Sequence, residues 1–425
     1  MAARPSRRRT ATLALTLLGC LALPHVPVLL TSRTAPAVIY HNGVVLTMDQ
    51  TRPHAQAIAT SRDRITAVGD DEEVLPLADR VTRLVDLGGR TVLPGFIDSH
   101  AHWIGDGQLV GLSPEQAVEA ALRRGWTSIN EQFVDMPRLN RLRELDASGA
   151  LRVRVNAYLP LNFTDDKFTW FLDHEPRYTY SSHLRVAGVK LFLDHDWGTD
   201  FHWDQVELDT FVLAAHRNGW QVSAHAVSAR AHDQYLTSIA RALAAHPDPD
   251  ARHRVEHVVQ LRDDQLARMR ELGMIASIQP GLVGASVTEQ GFSELVARGD
   301  PKWIARWRDL VDSGVRAIGS SDMPWLVLGL GSHATDLPHG SPLEAVHQAV
   351  TQRLTVDQAL RMFTVDAAYG TFEEDVKGSL VPGKYADLVV LAENPTTAVS
   401  LPDVGVLATI VGGKVEHCAD PVLCR

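Results

Sequence analysis

The sequence predicts an α/β protein: a TIM (β/α)8 barrel carrying a small composite β-sandwich built from both chain ends. Three observations predict it. Eight apolar, strand-like runs alternate with helix-like segments over roughly 280 residues, near the usual size of such a barrel. Short strand-like runs broken by Asn, Gly and Asp turns fill residues 38–86 and return at 386–391 and 406–415. Residue types that bind metals or move protons stand at the ends of five of the eight barrel runs. An open doubly wound sheet would want a glycine-rich phosphate loop after its first strand, and the sequence has none there.

Residues 1–36 read as an export signal or membrane anchor. Arg4, Arg7, Arg8 and Arg9 precede an apolar run over 11–23, and Pro24 follows. Ser6-Arg7-Arg8-Arg9-Thr10 loosely resembles a twin-arginine signal, and Leu17-Leu18-Gly19-Cys20 a lipoprotein cleavage box with an unusual Leu before the Gly. The expected product is secreted, periplasmic or on the cell surface. An uncleaved or lipidated N-terminus is the one expected membrane contact. Residues 37–90 form the first part of the β-domain, with strands at 38–40, 44–47, 65–69 and 84–86. Residues 91–374 form the barrel. Its strands are expected at 92–97, 126–129, 151–159, 186–193, 220–226, 254–259, 274–279 and 315–320. A helix opens at Ser113-Pro114-Glu115-Gln116, where Ser113 is a good N-cap, Pro114 suits the first turn and Gln116 can close a capping box. Further helices are expected near 139–145, 205–217, 228–245, 263–272, 302–312, 343–352 and 356–363. Residues 375–425 complete the β-domain. Cys418 and Cys424, six apart near the C-terminus, form either a clasp outside the cytosol or two free thiols on a tail.

The composition, 45% hydrophobic and 22% charged over 425 residues, suits a soluble globular chain with a large core. A formal charge of −10, with no basic stripe after residue 33, argues against a nucleic-acid partner. The first 33 residues hold five Arg and no acid, so their removal would take the charge to −15. Arg dominates the cations, with six Lys in the whole chain, a bias of a GC-rich genome and in keeping with a bacterial source. A homo-oligomer is compatible with all of this.

Catalytic groups of a TIM barrel sit at the C-terminal ends of its strands. The first strand runs into Asp98-Ser99-His100-Ala101-His102, and alternation lets His100 and His102 face one point. Two neutral imidazoles there begin a divalent metal site. Strand four carries Lys190, strand five His225, strand six His257, and strand eight ends at Asp322. Trp103, Glu131, His195, Gln279 and Trp325 are weaker candidates for lining the mouth, as are Asp194, Asp196 and Trp197. Arg254 and Glu256 suit structural contacts behind the ligands.

With these motifs the chain resembles the amidohydrolase superfamily, nearest the YtcJ-like branch that includes N-substituted formamide deformylases. The resemblance runs over about 38–415 and rests on Leu93-Pro94-Gly95-Phe96-Ile97-Asp98-Ser99-His100-Ala101-His102, Val189-Lys190-Leu191-Phe192, Arg254-Val255-Glu256-His257, Gly319-Ser320-Ser321-Asp322 and Gly378-Ser379-Leu380-Val381-Pro382-Gly383-Lys384-Tyr385-Ala386-Asp387-Leu388. It implies one or two divalent ions, Zn2+ first, with Mn2+, Fe2+ or Co2+ as alternatives. His100 and His102 would hold one ion, and His225 and His257 would be the remaining histidine ligands. Lys190, once carboxylated, would bridge two ions. Asp322 would bind metal, take a proton from a metal-activated water and return it to the leaving amine, with His257 beside it at the reaction centre. The implied reaction is hydrolysis of a C–N amide-type bond of a small molecule. Relatives on this branch carry a long insertion after the His-x-His motif, whereas ten residues separate His102 from Ser113 here, so the pocket should differ. Two alternatives stand beside this reading. One is a heterocycle deaminase on the same barrel, which would want an acid where Ser228 stands. The other is a secreted, non-catalytic binding protein on a degenerate barrel.

Overall fold

The structure, a computed structural model, describes residues 35–161, 175–195, 200–281, 300–325 and 340–424. The expected export signal, with Cys20, lies outside them. Among the described residues no helix is long and apolar enough to cross a membrane.

Eight parallel strands lie side by side in chain order: β1 (Phe96–Ala101), β2 (Trp126–Glu131), β3 (Arg154–Pro160), β4 (Leu184–Phe192), β5 (Gln221–Ala226), β6 (Arg254–His257), β7 (Ile275–Ile278) and β8 (Arg316–Gly319). Most of their residues are buried, as a parallel sheet covered on both faces requires. The seam between β8 and β1 is closed at the mouth. Asp322 N donates to His100 O (2.9 Å) and His102 N to Met323 O (2.7 Å). The buried Asp98 carboxylate clasps Ser321 through its N–H (2.9 Å) and hydroxyl (2.5 Å). The fold is a TIM barrel.

Helices pack outside it. Pro114–Arg123 opens as its sequence predicts: Ser113 Oγ accepts from Gln116 N (3.2 Å), and Gln116 Oε1 accepts from Ser113 N (2.8 Å). Gln205–Arg217 and Ala229–Ala245 follow the strands β4 and β5, each capped by the residue before it, Asp204 and Ser228. The helix expected over 302–312 is instead a 3-10 turn, Pro301–Trp303, and a short helix, Trp307–Ser313. Between them Ala305 N bonds to Val259 O (2.9 Å), which draws that stretch onto the barrel and breaks the helix.

The strand expected over 92–97 is also two strands. Thr91–Pro94 pairs antiparallel with Leu388–Leu391 in a sheet outside the barrel, and β1 begins only at Phe96. Gly95 is the joint. A Cβ there would lie 2.2 Å from the Thr127 side chain, so the close pass needs glycine. That outer sheet has six strands from both chain ends, in the order Lys414–Cys418, Val406–Val411, Leu388–Leu391, Thr91–Pro94, Val44–Leu46 and His54–Ala55. A four-stranded sheet, Arg64–Gly69, Ala57–Ser61, Val38–His41 and Arg83–Asp86, shares a core with it through Tyr40, Ile58 and Ile65 against Val45, Leu388 and Ile410.

A buried two-pronged ion pair, Arg154 to Asp387 at 2.7 and 2.9 Å, ties the barrel to these sheets. Cys418 and Cys424 are joined in a disulfide. The tail they close is held by Arg90 to Asp420 (2.6 Å) and Arg83 to Leu423 O (3.2 Å).

Candidate metal centre

The mouth of the barrel gathers His100 and His102 from the end of β1, His225 from β5, His257 from β6 and Asp322 just beyond β8. His100 Nε2 lies 3.5 Å and His102 Nε2 3.7 Å from Asp322 Oδ1. These three side chains can offer one donor atom each within 4.8 Å of one another. The ring of His257 is 4.9 Å from that of His100 and 4.4 Å from that of His225, centroid to centroid.

Local backbone geometry produces this convergence. Along β1, Asp98, His100 and His102 share one side by alternation. On β6 alternation alone would separate Glu256 from its neighbour His257, yet Glu256 bonds His100 and His257 lines the same mouth. The chain turns there through positive φ at His257 (75°) and Val258 (46°). Asp322 also has φ of 55°. Such conformations in non-glycine residues cost on the order of 1–3 kcal/mol each and cluster at functional sites.

A polar group stands behind most of the imidazoles. Glu256 Oε2 is 2.6 Å from His100 Nδ1, Asp106 Oδ2 is 3.5 Å from His102 Nδ1, and Gln279 Oε1 is 2.9 Å from His257 Nδ1. Asp194 Oδ1 lies 3.7 Å from His225 Nε2. The hydrogen bonds at Nδ1 of His100 and His257 leave their Nε2 for the mouth, the arrangement that fixes a ligand's tautomer. Glu256 is itself held by Arg254 Nε (2.8 Å) and Ser223 Oγ (2.7 Å). Burial would raise its carboxyl, but Arg254 and His100 hold it well below the usual range. Burial, with Lys190 nearby, pushes His100 and His102 well below their ordinary value and His257 down to about 3, so all three are neutral at pH 7.

Lys190 is fully buried, and its Nζ has no hydrogen-bond partner. Burial lowers its pKa and raises that of Asp322, while the two charges pull each other back. An orphaned amine beside neutral imidazoles and a desolvated carboxylate is a donor set that a divalent cation would complete. The residues present therefore fit a metal.

The weaker sequence candidates separate. Trp325 lines the mouth and is 47% exposed. Gln279 stands behind His257, and its amide donates to Ser320 Oγ (2.9 Å). Trp103 is not in the mouth: its ring is in the core, and Nε1 donates to Asp98 (3.0 Å). Glu131 faces a separate cleft beyond the 102–105 turn, where Oε1 accepts from Ile104 N (3.1 Å) and Gly105 N (2.6 Å). Burial pushes its carboxyl up to about 8. Asp194 accepts from Val227 N (3.0 Å) and Ser228 N (2.8 Å), bracing the turn after β5. The side chain of His195, with Asp196 and Trp197, lies outside the described residues.

The sequence reading missed Asp106, Phe133, Phe192 and Arg138, which also line the cavity of about 640 Å3 over the centre. Asp106 stands four residues after His102, a spacing that could have been noticed. Phe133 carries no such signal, because its place depends on a left-handed backbone, φ 58°.

The amidohydrolase family model matches residues 112–417. The chain belongs to the amidohydrolase family. It is 27% identical to the protein LONG AFTER FAR-RED 3 of Arabidopsis thaliana over 63% of this chain and 49% of that protein. It is 26% identical to the N-substituted formamide deformylase of Arthrobacter pascens over 55% of this chain and 46% of that enzyme. The chain thus spans about half the length of these curated relatives. Its fold is similar to that of an uncharacterized metal-dependent hydrolase from Pyrococcus furiosus, with a TM-score of 0.67 at 19% identity over 85% of this chain and all of that one.

Proposed function

We propose that this amidohydrolase-family chain is a metal-dependent hydrolase that cleaves a C–N amide-type bond of a small molecule. The observation that carries it is the convergence of His100, His102 and Asp322 at the barrel mouth, each with an atom within 4.8 Å of the others. His100 and His102 would hold the first ion, Zn2+ before Mn2+, Fe2+ or Co2+. His225 and His257 complete the histidine set. Lys190, whose buried amine lacks a hydrogen-bond partner, would add carbon dioxide to become an anionic carbamate and so support a second ion.

A bound divalent cation supplies a Lewis acid that acidifies water and polarises a carbonyl. The chain's own groups supply the rest. Asp322 Oδ1, next to both ligand nitrogens, takes a proton from water and returns it to the departing amine. Glu256 and Gln279 keep Nε2 of His100 and His257 turned to the mouth. Gln279 also keeps His257 in place beside the reacting groups.

The deaminase reading is weaker. At the position where a deaminase would want an acid, Ser228 caps the helix Ala229–Ala245, its Oγ accepting from Ala231 N (3.2 Å). Export is a further part of the proposal. It is supported by the basic-then-apolar N-terminus and by the Cys418–Cys424 disulfide, a bond suited to oxidising compartments.

The test is amine release from a panel of N-acyl and N-formyl amines by the metal-loaded protein and by Asp322→Asn. The expected result is turnover that Asp322→Asn lowers by at least 100-fold per bound metal ion, with each protein's metal content measured alongside. No amine or ammonia from amides, ureas or heterocycles would overturn the reading and leave the binding-protein alternative.

A further inference from the structure

We propose that Phe133 and Phe192 form a substrate subsite in the cavity over the candidate metal centre. It selects an uncharged substrate whose reacting amide carries an aromatic or branched apolar arm. The inference rests on the hydrolase reading above and names the substrate class for that site.

Phe133 follows the end of β2 with a φ of 58°, a left-handed conformation that a bulky side chain adopts at a cost of roughly 1–2 kcal/mol. Its neighbours pin it there: Gln132 N donates to Ala101 O (2.8 Å) and Val134 N to Tyr158 O (2.8 Å). The strain does not bury the ring fully: Phe133 stays half-buried at the cavity wall. Its ring meets that of Phe192 edge-on, with centroids 5.5 Å apart and planes at 76°. Phe192, the last residue of β4, stacks on His225 with centroids 5.1 Å apart and planes at 28°. The aromatic wall thus starts on a candidate ligand ring. An arm lying on it would leave its amide near the metal donors.

Two further lining residues are also apolar. Trp325 is 47% and Leu109 49% exposed, large apolar side chains at a concave mouth that a ligand would cover. Among the described lining residues, charge complementarity for an anion is missing. Among the described residues lining the cavity, Arg138 is the one cation, and it is engaged by Asp106 (2.6 Å) and Asp135 (2.9 Å). Away from the metal donors, a carboxylate on the arm would find no unengaged cation among these described lining residues, and an unpaired buried carboxylate is strongly disfavoured.

The experiment compares three ligands on the metal-loaded full chain: N-(2-phenylethyl)acetamide, its 4-carboxy derivative and N-methylacetamide. Affinity is read by calorimetry and turnover by amine release. The neutral aryl amide should bind at least 10-fold more tightly than either of the others. Phe133→Ala should cut the aryl-to-methyl affinity ratio at least 10-fold, about 1.4 kcal/mol. Phe192→Leu, which keeps an apolar side chain over Lys190, should cut it too and serves if Phe133→Ala does not fold. Equal or tighter binding of the carboxylate, or an unchanged ratio in a folded variant, would overturn the subsite. Aryl-selective binding without turnover of any amide supports the subsite and refutes the hydrolase reading. Turnover without aryl selectivity does the reverse.

Discussion

Glu256→Gln separates a positioning role from a merely structural one. The carboxylate accepts from His100 Nδ1 (2.6 Å), Ser223 Oγ (2.7 Å), Arg254 Nε (2.8 Å) and Arg254 Nη2 (3.1 Å), all without access to water. Glutamine keeps the shape and one acceptor oxygen. Its NH2 must then face either the Arg254 guanidinium or the His100 Nδ1–H, donor against donor. Arg254 also loses its ionic partner in the barrel interior, although Tyr158 Oη (2.9 Å) and Ser99 O (2.6 Å) still receive it. Breaking a buried ion pair from one side costs about 3–5 kcal/mol. Loss of the partner behind a ligand histidine costs about 10–100-fold in metal affinity. Urea unfolding of the metal-free variant reads the first quantity, and competition with a chromophoric chelator reads the second. Both should fall. A folded Glu256→Gln protein that binds metal as tightly as the parent would refute the claim that this carboxylate sets the His100 ring.

Two further outcomes test other parts of the structure. Burial and the neighbouring His216 push His253 down to about 3, well under the roughly 6.5 of an unfolded chain. The unfolded state therefore binds more protons between those values, and stability falls as pH drops below about 6.5, by up to about 1.4 kcal/mol per pH unit for this one group. His232, pushed by burial to about 4, acts in the same direction. Raised carboxyls such as Glu131 act in the opposite direction, so the test is a comparison: the change in urea midpoint from pH 7 to pH 5 should be less destabilising in metal-free His253→Gln than in the metal-free parent, and an equal change would contradict this. Cys418→Ser should lower stability under oxidising conditions by about 2 kcal/mol, from the loop entropy a short disulfide removes. Under reducing conditions parent and variant should unfold together; a persisting gap would place the effect elsewhere.

Most of the barrel was legible in the sequence because parallel strands buried on both faces leave continuous apolar runs. Those runs gave all eight strands to within a few residues, and Ser113 acts as the helix cap that its sequence predicts. The run at 92–97 was misread as one strand because both halves are equally apolar. The pairing of Thr91–Pro94 with Leu388–Leu391 shows that it feeds two sheets, joined where Gly95 passes close to Thr127. At the site, alternation made His100 and His102 readable as a pair, and the strand ends pointed to His225, His257 and Asp322. The supporting groups were less readable. Trp103 looked like a mouth aromatic but serves Asp98, a contact across five residues that the pattern does not encode. Phe133, like the turn at His257, depends on positive φ in a non-glycine residue, which tertiary contacts impose and local sequence does not announce.

The central claim is that His100, His102 and Asp322 hold a catalytic metal. Anomalous diffraction from crystals of the Zn2+-loaded protein, collected on both sides of the zinc edge, tests it most directly. The account predicts a zinc peak shared by His100 Nε2, His102 Nε2 and Asp322, and a second peak toward His225 and His257 if Lys190 carries a carbamate. Stoichiometric zinc bound elsewhere, with these three side chains free of any peak, would contradict it.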